Sequence, residues 1–195
     1  MAAPRTRQKF DAASYLQWEA TQSEKHEYLA GEIFAIVGVR QSHNVAALNL
    51  ASALRTRLAG SNCRVFISDV KARIGPSDAF FYPDVVASCD ARDRATPEYV
   101  SYPSLIVEVL SASTAAFDRG AKFGAYRRLD SLKEYALVDI EAQRVELFRR
   151  DASNHWVLHE FAPGDEVEFA SVGVSIAVDA ILADTEEPPA GEDGS

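Results

Sequence analysis

The segment Ser104-Leu105-Ile106-Val107-Glu108-Val109-Leu110-Ser111 places one carboxylate inside an otherwise apolar stretch that is typical of a buried strand. The segment Tyr82-Pro83-Asp84-Val85-Val86 does the same shortly before it in the chain. An ionised carboxylate in an apolar setting costs several kcal/mol unless it pairs with a cation or binds a metal. Two such strands in succession therefore predict a divalent-metal site at the centre of a sheet.

The alternation of side chains along a strand predicts where these acids point. Glu108 is expected to share one face of the sheet with Ile106 and Leu110. If the strand that contains Asp84 is its neighbour, both carboxylates can reach the same edge of the sheet and share one ion. Oxygen ligands favour Mg²⁺ or Mn²⁺, and no set of Cys and His residues has the spacing of a zinc site.

The remaining pattern predicts an α/β fold with a mixed central sheet flanked by helices and an antiparallel C-terminal extension. Leu50, Leu54 and Leu58 recur at helical spacing and mark the clearest helix. Helices are expected over residues 11–20, 42–60 and 118–129. Strands are expected over residues 33–36, 64–74, 81–88, 104–110, 134–140, 144–149, 156–161 and 167–170.

The composition limits the function classes. The 195 residues are 47% hydrophobic and 25% charged, which is typical of a globular domain, expected here over residues 1–183. The acidic tail 184–195 is expected to be disordered. A net charge of −9 argues against a protein that coats nucleic acid by charge alone. There is no apolar stretch of about 20 residues for a membrane span and no signal peptide, so a cytoplasmic protein is expected. Cys63 and Cys89 are expected to be buried thiols.

Asp118, Lys122 and Tyr126 lie four residues apart and therefore form one stripe along the predicted helix. If this stripe faces the two acids, Lys122 could orient a water molecule or stabilise charge on a phosphate. If it faces solvent, Asp118 and Lys122 form an ordinary surface ion pair. The spacing alone leaves both interpretations open.

Several segments, taken together and in order, resemble the Uma-type family, a former domain of unknown function in the PD-(D/E)XK superfamily of nucleases. The resemblance covers about residues 10–182. The segments are His26-Glu27-Tyr28 with Gly31-Glu32-Ile33, Ser42-His43-Asn44, Tyr82-Pro83-Asp84, residues 106–111 with Ser113-Thr114, Asp118 with Lys122, and Glu134-Tyr135 with Leu137-Val138-Asp139.

The resemblance implies a restriction-endonuclease-like fold and metal-dependent hydrolysis of phosphodiester bonds, with DNA as the favoured substrate. Asp84 and Glu108 match the metal-binding acids of the superfamily. Glu27 matches a further acidic position that could complete the metal shell, together with the carbonyl of Val109. The other interpretation of Glu27 is a surface residue near a turn.

The sequence departs from the superfamily pattern at Leu110, where a lysine is expected two residues after Glu108. Lys122, from the following helix, stands at the position that replaces it in this branch. His43 could reach the site, although a capping or packing role is the preferred interpretation. A positive patch beside the site, or simply a solvated face, is formed by Arg119, Lys122, Arg127, Arg128 and Lys133.

Two further function classes stay open at this point. One is a nucleic-acid-binding or regulatory module that keeps the fold and has lost catalysis, which Leu110 and the acidic net charge favour. The other is a hydrolase of nucleotides or other small phosphoesters. Cutting both strands of a duplex would suit a homodimer with two-fold symmetry.

Overall fold

The computed structural model describes residues 10–36, 38 and 40–186. From residue 187 onward, the predicted tail lies outside the described residues. The first helix begins as the sequence predicts, because the Asp11 side chain accepts a hydrogen bond of 2.7 Å from the Ser14 amide. The helices are α1 (Ala12–Glu19), α2 (Gln41–Arg57), α3 (Ala115–Phe117, Asp118–Lys122 and Phe123–Tyr126 in succession) and α4 (Val178–Leu182).

The strands of the described residues form sheets of five, six and two strands, in the orders β2-β1-β5-β4-β7, β11-β10-β9-β8-β6-β3 and β12-β13. Their bounds are β1 His26–Leu29, β2 Glu32–Ala35, β3 Arg64–Ile67, β4 Lys71–Ile74, β5 Ala79–Phe81, β6 Val85–Ser88, β7 Tyr99–Val100, β8 Leu105–Val109, β9 Glu134–Asp139, β10 Arg144–Arg150, β11 Trp156–Phe161, β12 Glu166–Phe169 and β13 Val174–Ala177. In the six-stranded sheet β8 and β9 are parallel and the other neighbours are antiparallel. The mixed sheet with flanking helices confirms the predicted fold class.

Two segments that were expected to be single strands are each divided between the two larger sheets. Residues 64–74 give β3 in the six-stranded sheet and β4 in the five-stranded one. Within residues 81–88 the chain passes back from β5 of the five-stranded sheet to β6 of the six-stranded one. The change occurs at Pro83, which has no backbone N–H to donate to a neighbouring strand. Asp84 therefore lies where the chain passes between the sheets, and its expected place inside a strand was wrong.

A tight hairpin brings Glu27 into the five-stranded sheet, and its first strand, β1, was not predicted from the sequence. The turn between β1 and β2 consists of Ala30 and Gly31, with φ angles of 48° and 94°. Positive φ at both positions is what a two-residue hairpin of this twist requires, and glycine adopts it without steric cost. Glu27 pairs with Phe34 in the resulting register.

Two apolar layers cover the six-stranded sheet. One layer packs Leu105, Val107 and Val109 against α2, α4 and the β12–β13 hairpin. The other packs Ile106 and Leu110 against the five-stranded sheet and α3. The predicted alternation in β8 is therefore confirmed, and Glu108 points into the layer between the two sheets. No helix of the described residues combines the length and apolar character needed to cross a membrane.

Cys63 and Cys89 form a disulfide, so the expectation of two buried thiols was wrong. Arg64 pairs with Ser88 across antiparallel β3 and β6, which places the two cysteines opposite each other just beyond the strands. The bond joins residues 26 apart in sequence, and closing a loop of that length stabilises a fold by about 3 kcal/mol. Disulfides are rare in the reducing cytosol, and the cytoplasmic location expected from the sequence stays a prediction.

Glu134 connects the C-terminal hairpin to the six-stranded sheet. It is fully buried and accepts a hydrogen bond of 2.7 Å from Arg149 Nε. It also accepts from the backbone amides of Ala170 and Ser171, at 3.2 and 2.8 Å. A single carboxylate thus accepts hydrogen bonds from the guanidinium of Arg149 in β10 and from two backbone amides just after β12.

We expect Glu134→Ala to lower the free energy of unfolding by about 3 kcal/mol, because it leaves the Nε of Arg149 and two backbone amides without their acceptor. Urea denaturation followed by circular dichroism measures this loss. The matched control is Glu160→Ala, which removes an exposed carboxylate 3.4 Å from Arg144 and should change the free energy by less than about 0.5 kcal/mol. Equal losses in the two variants would contradict this role of Glu134.

Candidate active site

Side chains from both large sheets and from α3 meet around one buried ammonium group. Lys122 Nζ lies 3.0 Å from Glu27 Oε1 and 3.0 Å from Glu108 Oε1. A third carboxylate, Asp118, lies 3.7 Å away through its Oδ1. Lys122 is 6% exposed, so its charge is compensated by these acids and hardly by water. The structure thus places the Asp118 and Lys122 stripe against the acids and not in a surface ion pair.

The local shape of α3 explains how this stripe reaches the acids. Residues Asp118–Lys122 form a π-helical turn between two short α-helical segments. Such turns are rare and are frequent at functional sites. Tyr126, one step further along the same side, donates a hydrogen bond of 2.9 Å to Glu108 Oε1. Tyr135 of β9 donates to the carbonyl of Asp118 at 3.0 Å and holds the turn against the sheet.

Asp84 lies next to this cluster with different partners. Its Oδ2 accepts a hydrogen bond of 2.7 Å from the Val109 amide and lies 3.3 Å from His43 Nε2. The Asp84 side chain is 17% exposed, against 3% for that of Glu108, so the site is most accessible to solvent at Asp84.

His43 belongs to this site, which the preferred sequence interpretation missed. It lies in the first turn of α2 and is buried, with its imidazole against Asp84. A capping or packing role was the preferred interpretation of its position, whereas the structure places its buried side chain against Asp84. The segment Ser42-His43-Asn44 in the family resemblance was the signal that could have identified it.

Glu27 is buried and held by the segment that follows β5, so the alternative of a surface residue near a turn was wrong. Its Oε1 accepts a hydrogen bond of 3.0 Å from the Tyr82 amide. The Tyr82 hydroxyl in turn donates to Glu19 Oε1 at 2.9 Å, and Glu19 also accepts from the His26 amide. This second layer, which the sequence analysis missed, fixes the position of Glu27.

The pKa shifts are those of a cluster in which one cation, Lys122, lies among several carboxylates. Burial raises the pKa of Glu108 well above its usual value, in spite of the opposing charge of Lys122. Burial raises the pKa of Asp118 as well. Burial alone would lower the pKa of Lys122, but the charges of Glu108, Glu27 and Asp118 outweigh it and raise that pKa. Lys122 is therefore a permanent cation at neutral pH.

The capacity of the site for a metal can be tested on its donors. Carboxylate and carbonyl oxygens are ligands that suit Mg²⁺ or Mn²⁺. Among the described residues, however, no three Asp, Glu, His or Cys side chains are grouped, as they stand, so as to hold one ion. Lys122 lies between Glu27 and Glu108, and Asp84 is bonded to Val109. The oxygen atoms present are thus of the kind that binds Mg²⁺ or Mn²⁺. Their present arrangement is that of an acid cluster neutralised by Lys122.

Of the two interpretations of the cations in residues 119–133, a patch beside the site does not hold for Arg119, Arg128 and Lys133. Arg119 donates to Glu146 at 2.8 and 3.2 Å and to Asp139 at 3.0 Å, so its charge is compensated. Arg128 and Lys133 line a groove at the other end of β8. The helix and the loop after it run away from the acids, and closeness in sequence therefore did not give closeness in space.

Comparison with known proteins agrees with this fold and with the resemblance in sequence. Residues 12–179 match the family model Uma2, described as "Putative restriction endonuclease". Two uncharacterized proteins of Synechocystis sp. are each 38% identical to the chain. One match covers 89% of this chain and 91% of the relative, and the other covers 82% and 92%.

A solved structure shares the fold. It is the crystal structure of a "putative nuclease belonging to DUF820" from Anabaena variabilis, which is similar with a TM-score of 0.72. The match covers 89% of this chain and 97% of that one at 15% sequence identity. At that identity the similarity establishes the architecture alone.

We expect Lys122→Met to lower the free energy of unfolding by about 3 kcal/mol, because three carboxylates lose their buried counter-ion. The pKa values of Glu108 and Asp118 are already raised in the fold, so their contribution to stability is lost as pH rises through those values. The loss should therefore be larger in mildly alkaline than in mildly acidic buffer, as measured by urea denaturation. Lys133→Met, at an exposed lysine, is the control, and an equal loss there would contradict the argument.

Proposed function

This chain belongs to the Uma2 family, described as putative restriction endonucleases, and from this premise we propose that it is a metal-dependent endonuclease that hydrolyses phosphodiester bonds in DNA. The observation that supports the proposal most directly is the buried contact of Lys122 with Glu27 and Glu108, beside the more accessible Asp84. Acids and a lysine, brought together from separate elements, are the side chains that phosphodiester hydrolysis needs.

Glu27, Asp84 and Glu108, with the carbonyl of Val109, are the groups that would hold Mg²⁺ or Mn²⁺. When bound there, a divalent cation would lower the pKa of a water molecule bound to it and neutralise charge on the scissile phosphate. The remaining roles are assigned to residues of the chain itself. Asp84 is the most exposed acid of the set, so an incoming phosphate would meet it first.

Lys122 is the residue proposed to act on the reacting groups. It remains protonated at neutral pH, and it shares Glu27 and Glu108 with the proposed cation site. An ammonium in that place can hold the attacking water or stabilise the negative charge that grows on the phosphate. His43 acts through Asp84, because its contact with Oδ2 fixes the orientation of that carboxylate.

The alternative is a nucleic-acid-binding or regulatory module of the same fold without catalysis. One observation favours it, namely that Lys122 contacts three carboxylates at once and could serve only to neutralise them. The two functions differ in one measurable property, which is turnover in the presence of a divalent cation. A two-fold dimer would suit double-strand cleavage and is part of the same proposal.

We expect the purified protein to cut plasmid DNA in Mg²⁺ or Mn²⁺ and not in EDTA, with gel electrophoresis as the readout. Asp84→Asn should reduce the rate by about 100-fold or more, because it weakens the metal site while keeping the size of the side chain. Glu160→Gln, which changes an exposed carboxylate far from the cluster, should leave the rate unchanged.

Single-stranded DNA and RNA, run in parallel, identify the preferred polymer. Binding of Mn²⁺ without cutting of any of the three substrates would support the non-catalytic module. An undiminished rate in Asp84→Asn would contradict the assignment of the active site. Circular dichroism of each variant separates loss of chemistry from loss of folding.

A further inference from the structure

A second feature of the surface lies at the end of β8 opposite to Glu108. It is an open groove of about 780 Å³. Ser104, on its wall, precedes Glu108 by four residues, which is about 13 Å along the strand. The groove is therefore distinct from the acid cluster. Its walls come from four chain segments, within residues 73–76, 89–92, 101–104 and 128–133.

The groove carries positive charge on a protein whose net charge is −9. Its lining includes two carboxylates, Asp90 and Asp130, and four cationic side chains, which are Arg73, Arg92, Arg128 and Lys133. Asp90 is committed to Arg92 through two hydrogen bonds of 2.9 and 2.6 Å, which help to lower its pKa to about 2. The cations thus outnumber the acids where the rest of the chain is acidic.

The other three cations have no carboxylate partner in the part of the chain that the structure describes. Arg128 and Lys133 each donate to a backbone carbonyl, at 3.3 and 2.8 Å, and such contacts leave their charge uncompensated. Arg73 lies above the Tyr99 ring, 5.6 Å from its centre. Arg119, by contrast, lies between two acids, Asp139 and Glu146.

We propose that this groove binds phosphate groups of a nucleic-acid strand, outside the catalytic cluster. The choice of nucleic acid rests on the proposed nuclease function, while the charge and the free donors stand without it. Guanidinium groups bind phosphate through paired hydrogen bonds, and two arginines without a carboxylate partner among the described residues, Arg73 and Arg128, line this one groove together with Lys133.

The test compares DNA binding by the whole protein and by Arg128→Ala/Lys133→Ala, in EDTA so that no cleavage occurs. Fluorescence anisotropy of a labelled duplex gives the affinity at several salt concentrations. Losing two phosphate contacts should weaken binding about tenfold and reduce the slope of log K against log salt by about 1.8. The matched control is Arg55→Ala/Arg57→Ala, which removes two exposed charges from the last turn of α2 and should change neither quantity.

Equal affinity and slope in the groove variant and the unmodified protein would overturn the proposal. So would loss of binding to a nucleoside monophosphate with DNA binding unchanged, because the groove would then take only small phosphates. Hydrolysis of bis(4-nitrophenyl) phosphate in Mn²⁺ reads the catalytic cluster separately and should be unchanged in the groove variant. If neither the unmodified protein nor any variant hydrolyses this substrate, and the groove variant still loses DNA affinity as expected, the nuclease function is contradicted. The proposal that the groove binds DNA phosphates is then supported on its own.

Discussion

The Lys122 ammonium group, enclosed by carboxylates from three different elements, is the interaction on which the centre of this molecule depends. Glu27 comes from β1 of one sheet, Glu108 from β8 of the other, and Asp118 from α3 itself. Removing one partner from such a buried set costs about 3–5 kcal/mol, against a total stability of about 5–15 kcal/mol for a typical domain. The site and the packing of α3 between the sheets are therefore one structural unit.

The same constraint explains why the chain crosses between its sheets where it does. At Pro83 it leaves β5 and enters β6, and the crossing places the Tyr82 amide on Glu27 and the Asp84 carboxylate on the Val109 amide. The irregular segment thus connects Glu27 of one sheet with the Val109 backbone of the other, through Tyr82 and Asp84.

Some of this could be predicted from the sequence, and the physical reasons for the limits differ. The α2 helix and the alternation in β8 follow from local periodicity, which a single segment contains. The split of residues 64–74 depends on which strands pair, and that is a property of the whole fold. The orientation of Lys122 could not be derived, because four-residue spacing is the same for a buried and an exposed stripe. The disulfide depends on the register of β3 with β6, which the sequence separation of Cys63 and Cys89 does not contain.

The position of Leu110 shows why the lysine of this site comes from a helix. Leu110 shares a face of the sheet with Glu108 and packs in the apolar layer beside Tyr126. An ammonium there would replace an apolar contact in that layer, at the cost of desolvation without an evident additional acid. Lys122 instead enters from α3, where the π-helical turn brings it to two acids of the sheets. The charge of the site is therefore set by the placement of α3, and any change that moves this helix acts on the acids as directly as a change in the acids themselves.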